Sequence, residues 1–248
     1  MSSTYLYDGT FSSLLALISI LVDLKNNPDD IKSERKYEPN LLDTPVYLDL
    51  GNLEEKIKIL KNKISVNVFH TVYYAYLSVN PKKELIIYYF IKNAIKYKDE
   101  VYFHRNLKCV NETLKISQNV SREAHHMKGF LRFKQMKNCY YAEINPTNDV
   151  IGIVADHFKK RLKEDCWVVK DVNRGKYAIY DLKDVMYIGE EDIKSINLNL
   201  AEKEEEFEKL WKTFFQTIAI KERKNLKVQM SFMPKKYWNY ILEMEDEK

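Results

Sequence analysis

With 248 residues, 45% of them apolar, the chain can bury a sizeable core, so disorder is not expected and the length allows one large domain or two small ones. Forty basic against 36 acidic residues leave a formal charge of +4, too small to require a polyanionic partner, so any nucleic-acid surface must be a local patch. The three cysteines, Cys109, Cys139 and Cys166, are far apart and form no Cys-x-x-Cys pair, which argues against a zinc site or redox couple. They are expected as buried, reduced thiols in a cytoplasmic protein.

Thr4 to Tyr7 reads as a short strand stopped by Asp8-Gly9, and Phe11 to Leu24 as a core helix. That helix is broken by Ser19 and Asp23 and falls short of a membrane span, and no basic segment of a secretory signal precedes it; neither export nor membrane association is expected. Residues 25–45, punctuated by Pro28, Pro39 and Pro45, are expected as a long surface loop before a strand at Val46 to Leu48. Helices follow near 52–63, 66–79 and 82–98; the second carries Val66, Phe69, Tyr73 and Tyr76 as a stripe of helical spacing, read as ordinary packing.

Leu107 to Met127 reads as a helix ended by Gly129. Phe130 to Phe133 and Tyr140 to Ile144 flank Lys137-Asn138 as a β-hairpin, a helix spans about Val150 to Leu162, and a second hairpin joins Trp167 to Lys170 with Tyr177 to Tyr180 across Asn173-Arg-Gly175. The ββαββ order, after a helical N-terminal half, predicts an α+β fold with an antiparallel sheet and C-terminal helices packing back. One domain over 1–248 is expected, with a division between 106 and 107 as the alternative. At the C-terminus Asn199 reads as a cap with Glu202 three residues on, and Phe207, Trp211, Phe214 and Ile218 as a core stripe. Beyond them cations alternate with aromatic residues as far as Trp238, a mixture suited to a phosphate backbone with rings for stacking, or to a solvated face over a core.

Only seven of the basic residues are Arg, and six lie between Arg105 and Arg223. In a chain biased towards Lys, a retained Arg points to work that a planar, two-pronged guanidinium does and an ammonium does not. The densest cluster is Arg122-Glu-Ala-His-His-Met-Lys-Gly-Phe-Leu-Arg-Phe133, in which Arg122 and His126 share a helix face. In the 150–162 helix, Ile153, Val154 and Phe158 read as the buried stripe, with His157 and Arg161 leaning inward. The candidate phosphate or nucleic-acid contacts are therefore Arg122, Arg132, Arg161, Arg174, Arg223, Tyr237 and Trp238; the candidate acids or bases are His125, His126, His157 and Glu123. Glu123-Ala-His-His126 fits Glu-x-x-His, but a dimetal site needs a second copy, so no metal is expected. Without a P-loop, a Gly-x-Gly-x-x-Gly or a Gly-x-Ser-x-Gly, no cofactor is expected either.

Tyr7-Asp-Gly-Thr-Phe11, the 122–133 block, Asp156-His-Phe-Lys-Lys-Arg161 and the tail from Trp211 to Asn225, with Gln229 and Pro234 to Trp238, together resemble a bacterial family labelled "probable DNA metabolism protein". The resemblance spans most of the chain. It implies a domain of unknown function encoded beside a radical SAM protein of DNA modification or repair, and fused elsewhere to uracil-DNA glycosylase-like domains. This chain resembles the stand-alone form, and no catalytic residues carry over. The leading expectation is an accessory factor that binds DNA or the radical SAM partner through its Arg, His and aromatic residues. An enzyme acting on nucleic acid or a nucleotide, with His as acid or base and Arg steadying phosphate, and a protein adaptor docking through its aromatic C-terminus are the alternatives.

Overall fold

In the computed structural model, which describes residues 2–39, 41, 43–136, 139–193 and 225–241, the opening strand, turn and helix are present as β1 (Ser2–Tyr7) and α1 (Phe11–Asp23). Thr10 caps α1 by accepting from Ser13 N at 3.2 Å, and Leu14, Leu15, Leu17, Ile18 and Leu21 form its buried face. Thr4 to Tyr7 are all buried, the pattern of a central strand covered on both faces.

Two strands flank β1 in parallel, β2 (Asp30–Ser33) and β3 (Asp43–Tyr47), in the order β2-β1-β3. This corrects the loop expected over 25–45. The missed strand is four residues long and buries only Ile31 and Ser33, too short a period to register, while Pro45 is tolerated because β3 is an edge. Three helices follow, α2 (Leu53–Lys63), α3 (Val66–Tyr76) and α4 (Lys83–Tyr97), the first two capped by Asn52 and Ser65. On α3 the buried stripe is Val68, Val72 and Ala75, and Val66 is exposed. Phe69, Tyr73 and Tyr76 are half-buried and gather around Phe11, with ring centroids 4.9–5.8 Å away, so this aromatic row is packing.

The chain forms two compact units, residues 1–121 and 122–248, and helix α5 (Lys108–Phe130) contributes to both. The helix runs through Gly129, which does not adopt the left-handed conformation of a cap, and Leu131 N still bonds Met127 O at 3.0 Å. The strand that follows is therefore short and late: β4 (Lys134–Gln135), paired antiparallel with β5 (Tyr140–Ile144).

The second unit's sheet continues with β6 (Trp167–Asp171), β7 (Lys176–Tyr180) and β8 (Val185–Gly189), in the order β4-β5-β6-β7-β8. The α+β class holds, but the sheet is not wholly antiparallel: β5 and β6 pair in parallel. The crossover that permits this is α6 (Ile151–Arg161), whose buried residues Ile151, Val154, Ala155 and Phe158 face the sheet. Arg161 is exposed and His157 half-buried, so the inward lean expected of both applies to neither in full. Gly175, with φ +58°, supplies the left-handed turn residue between β6 and β7.

The parallel register sets the residues just before Tyr140 and Trp167 side by side, and Cys139 and Cys166 form a disulfide with Cα atoms 4.9 Å apart. This overturns the expectation of three reduced thiols, which a separation of 27 residues could not contradict. Cys109 is a free, half-buried thiol. After α7 (Glu190–Ile193), the expected Asn199 cap, the Phe207 to Ile218 stripe and Arg223 lie outside the described residues. The last described segment comprises α8 (Leu226–Phe232), capped by Asn225, and a 3-10 turn over Lys235–Tyr240. Among the described residues no helix is long and apolar enough to cross a membrane.

Candidate functional site

Glu123 lies on the inner side of α5, only 7% exposed, and five donors converge on its carboxylate. Thr147 N at 2.8 Å, Lys236 Nζ at 3.0 Å and Tyr237 OH at 2.8 Å reach Oε1, while Asn148 N at 2.8 Å and its Nδ2 at 2.6 Å reach Oε2. Burial alone would raise this carboxyl. The backbone bonds from Thr147 and Asn148, then those from Tyr237 and Lys236, outweigh it and bring the pKa down to about 2. A carboxylate so engaged is charged at neutral pH and its oxygens are occupied by donors from the protein, which makes Glu123 an internal anchor between α5, the 145–149 loop and the C-terminal segment.

The loop Asn145-Pro-Thr-Asn-Asp149 that supplies three of those donors is also held by Arg174. That guanidinium donates to Pro146 O at 3.2 Å, to Thr147 O and to the fully buried Asp171 at 3.1 Å, while Asn173 Nδ2 also reaches Pro146 O at 3.1 Å. Burial raises the Asp171 carboxyl, and Arg174 only partly offsets it. Lys176 closes the arrangement on Asp149 at 2.6 Å. Arg174 is thus committed to the loop and to its own carboxylate. Arg132 also turns to the backbone, donating to Gly129 O at 3.0 Å and Leu131 O at 3.3 Å at the C-terminal end of α5, where a cation is favoured.

Tyr237 and Trp238, expected as exposed stacking residues, are each 3% exposed. One donates to Glu123 and the other, through Nε1, to Met233 O at 2.8 Å, so both anchor the C-terminal segment. Their cationic neighbours cover them: Lys236 lies 4.5 Å from the Tyr237 ring centroid and Lys235 5.5 Å from that of Trp238.

The remaining candidates form two groups. Arg122 and His125 are exposed, and beside them half-buried His126 stacks on Phe130 with centroids 5.4 Å apart. Burial, His125, Arg122 and Lys236 all lower the His126 pKa. Elsewhere in the unit, His157 is lowered by burial and by Lys128 and Arg161. Neither Arg122 nor Arg161 makes an ion pair among the described residues. The Arg residues therefore do not converge on a single site: two face solvent in separate groups, two are turned inward, and Arg223 lies outside the described residues.

The solvent-facing groups share a feature that the sequence reading held only for the cationic tail and not for α5. Between Thr113 and Ala142 the chain has one acidic residue, Glu123, and between Asn225 and Ile241 it has none. Because Glu123 is consumed internally, these two segments, joined by its bonds to Lys236 and Tyr237, present cations without carboxylates from their own sequence. Lys236, Thr147 and Asn148 were missed because their role depends on contacts across 24 to 113 residues; the only local sign was the turn-rich Asn-Pro-Thr-Asn-Asp run. Among the described residues no three His, Cys, Asp or Glu side chains gather as metal ligands would.

These features define an α+β protein whose second unit holds an internal carboxylate hub beneath a cationic, aromatic surface. The chain belongs to the family described as a domain of unknown function, DUF4130, whose model matches residues 81–243. No curated protein matches it. No solved structure does either.

Proposed function

We propose that the protein is an accessory factor of DNA metabolism whose second unit binds the phosphate backbone of nucleic acid. The observation that carries this reading is the pairing of acid-poor segments around Glu123, which spends that carboxylate on Lys236 and Tyr237 and leaves Arg122 and Lys128 on α5, and Lys227 and Lys235 on the C-terminal segment, without carboxylates from those segments. Such a patch attracts a polyanion in a chain whose net charge is only +4. Burial first and cationic neighbours second disfavour His126 and His157 as cations, the second contribution being what such a patch supplies. A radical SAM protein, implied by the family resemblance, is the proposed partner of the same complex.

Binding of labelled DNA and RNA, followed by anisotropy across a salt series, tests the reading. Affinity is expected to fall by more than about tenfold from low to physiological salt as counterions are released. The double variant Arg122→Ala/Lys128→Ala should weaken binding and flatten the salt slope, while Arg122→Lys, which keeps the charge, should recover part of the affinity. Absent or salt-independent binding overturns the proposal.

A further inference from the structure

Within the second unit, the parallel pair β5 and β6 is fastened at both ends. At its start the Cys139–Cys166 disulfide joins the residues just ahead of Tyr140 and Trp167. At its finish Val172 N donates to Ile144 O at 2.9 Å. There β5 runs into the 145–149 loop that donates to Glu123, and β6 ends at Asp171, which holds the Arg174 that grips the same loop. On its other edge β5 has only β4, paired through Lys134 and Gln135. The seating of β5, and with it the placement of the loop on Glu123, therefore rests on β6 and on the bond that pins the two strands together. Parallel pairing is the weaker kind per residue, so the cross-link matters here.

The disulfide is not sealed in the core. Both cysteines are half-buried, whereas Val168, against which Cys139 packs, is 5% exposed. Disulfides that a thiolate can reach are the ones that exchange opens. We propose that the Cys139–Cys166 bond is a reversible redox site, and that its reduction by a dithiol loosens the Glu123 hub while the unit stays folded. One thiolate of the dithiol attacks a protein sulfur, the Sγ–Sγ bond breaks and a mixed disulfide forms; the second thiolate of the dithiol then displaces that sulfur. The dithiol gives up two electrons and becomes a disulfide, and both cysteines end as thiols carrying its two protons. Oxidised glutathione reverses the exchange and is itself reduced to two thiols. Because the bond closes a separation of 27 residues, the oxidised form is favoured over its unfolded chain by about a hundred- to a thousandfold more than the reduced form. Cys109 belongs to the first unit and takes no part. The inference is independent of the nucleic-acid reading.

The test uses the full chain, with dithiothreitol as the dithiol. Alkylation in denaturant followed by mass spectrometry should count one free thiol, Cys109, in protein equilibrated with oxidised glutathione, and all three after dithiothreitol treatment of the native protein. Hydrogen exchange should then show protection of the Thr147 and Asn148 amides lowered by about tenfold or more in the reduced protein and restored on reoxidation, with residues 1–121 unchanged. Cys139→Ser/Cys166→Ser should show the reduced pattern in either buffer, and Cys109→Ser should respond as the wild type does. If the double variant does not fold, the wild type and Cys109→Ser, which leave both sulfurs in place, decide the matter. Three free thiols under oxidised glutathione, a bond that dithiothreitol opens only in denaturant, or an opened bond with unchanged protection at 145–149 overturns the inference. So does collapse of the whole second unit when the wild type is reduced, which would make the bond a structural staple alone.

Discussion

Glu123 was a candidate acid or base in the sequence because it stands beside two histidines, and the structure surrounds its carboxylate with donors from the protein itself. Five donors converge on a carboxylate 7% exposed, an arrangement that an amide cannot satisfy because its NH2 would face Asn148 N and Nδ2. Glu123→Gln should therefore destabilise the second unit by about 3 kcal/mol, measurable by denaturant unfolding, since it strands buried donors and the Lys236 ammonium. The same group sets an acid limit. Its folded pKa of about 2 lies below the ordinary 4.5, so its stabilisation is complete above pH 4.5 and is lost as pH falls towards 2. The loss amounts to roughly 3 kcal/mol, and acid titration of the wild type should show it while Glu123→Gln lacks that component.

At the scale of elements, local signals were legible where the chain writes them locally. Apolar spacing marked α1 to α4 and Asn173-Arg-Gly175 marked the turn, while the caps Thr10, Asn52, Ser65 and Asn225, each accepting from the helix it precedes, went unread. Pairing between strands was not legible. β1 sits between β2 and β3, and β5 joins β6 in parallel, because partners are chosen by packing across the fold and not by spacing. Gly129 is the instructive error: glycine commonly marks a helix end, yet here α5 continues to Phe130. A Cβ at Gly129 meets nothing within 4 Å, so Gly129→Ala should raise stability by about 0.5–1 kcal/mol, read as a higher unfolding midpoint. The candidate site was half legible for the same reason. The 122–133 block marked the right helix, but which of its side chains face inward depends on the loop at 145–149, and Tyr237 and Trp238 proved to be anchors.

Considered as a whole molecule, the described residues withhold three acids from the surface, Glu84 in the first unit and Glu123 and Asp171 in the second. Glu123 and Asp171 are spent on the same loop, and the acid-poor segments around Glu123 turn a nearly balanced composition into a local positive field. The net charge of +4 thus understates what a ligand at α5 meets. The Tyr237 bond to Glu123 spans 114 residues, so α5 is translated long before its buried charge can be answered. Long-range closure of this kind is slow, and it ties completion of the second unit to the segment that carries Lys236 and Tyr237. A chain ended at residue 224 should accordingly lose cooperative unfolding and hydrogen-exchange protection around Glu123, while protection in residues 1–121 persists. During synthesis, then, the two halves of the Glu123 hub exist only as separate pieces until the turn that carries Lys236 and Tyr237 has been made and has docked.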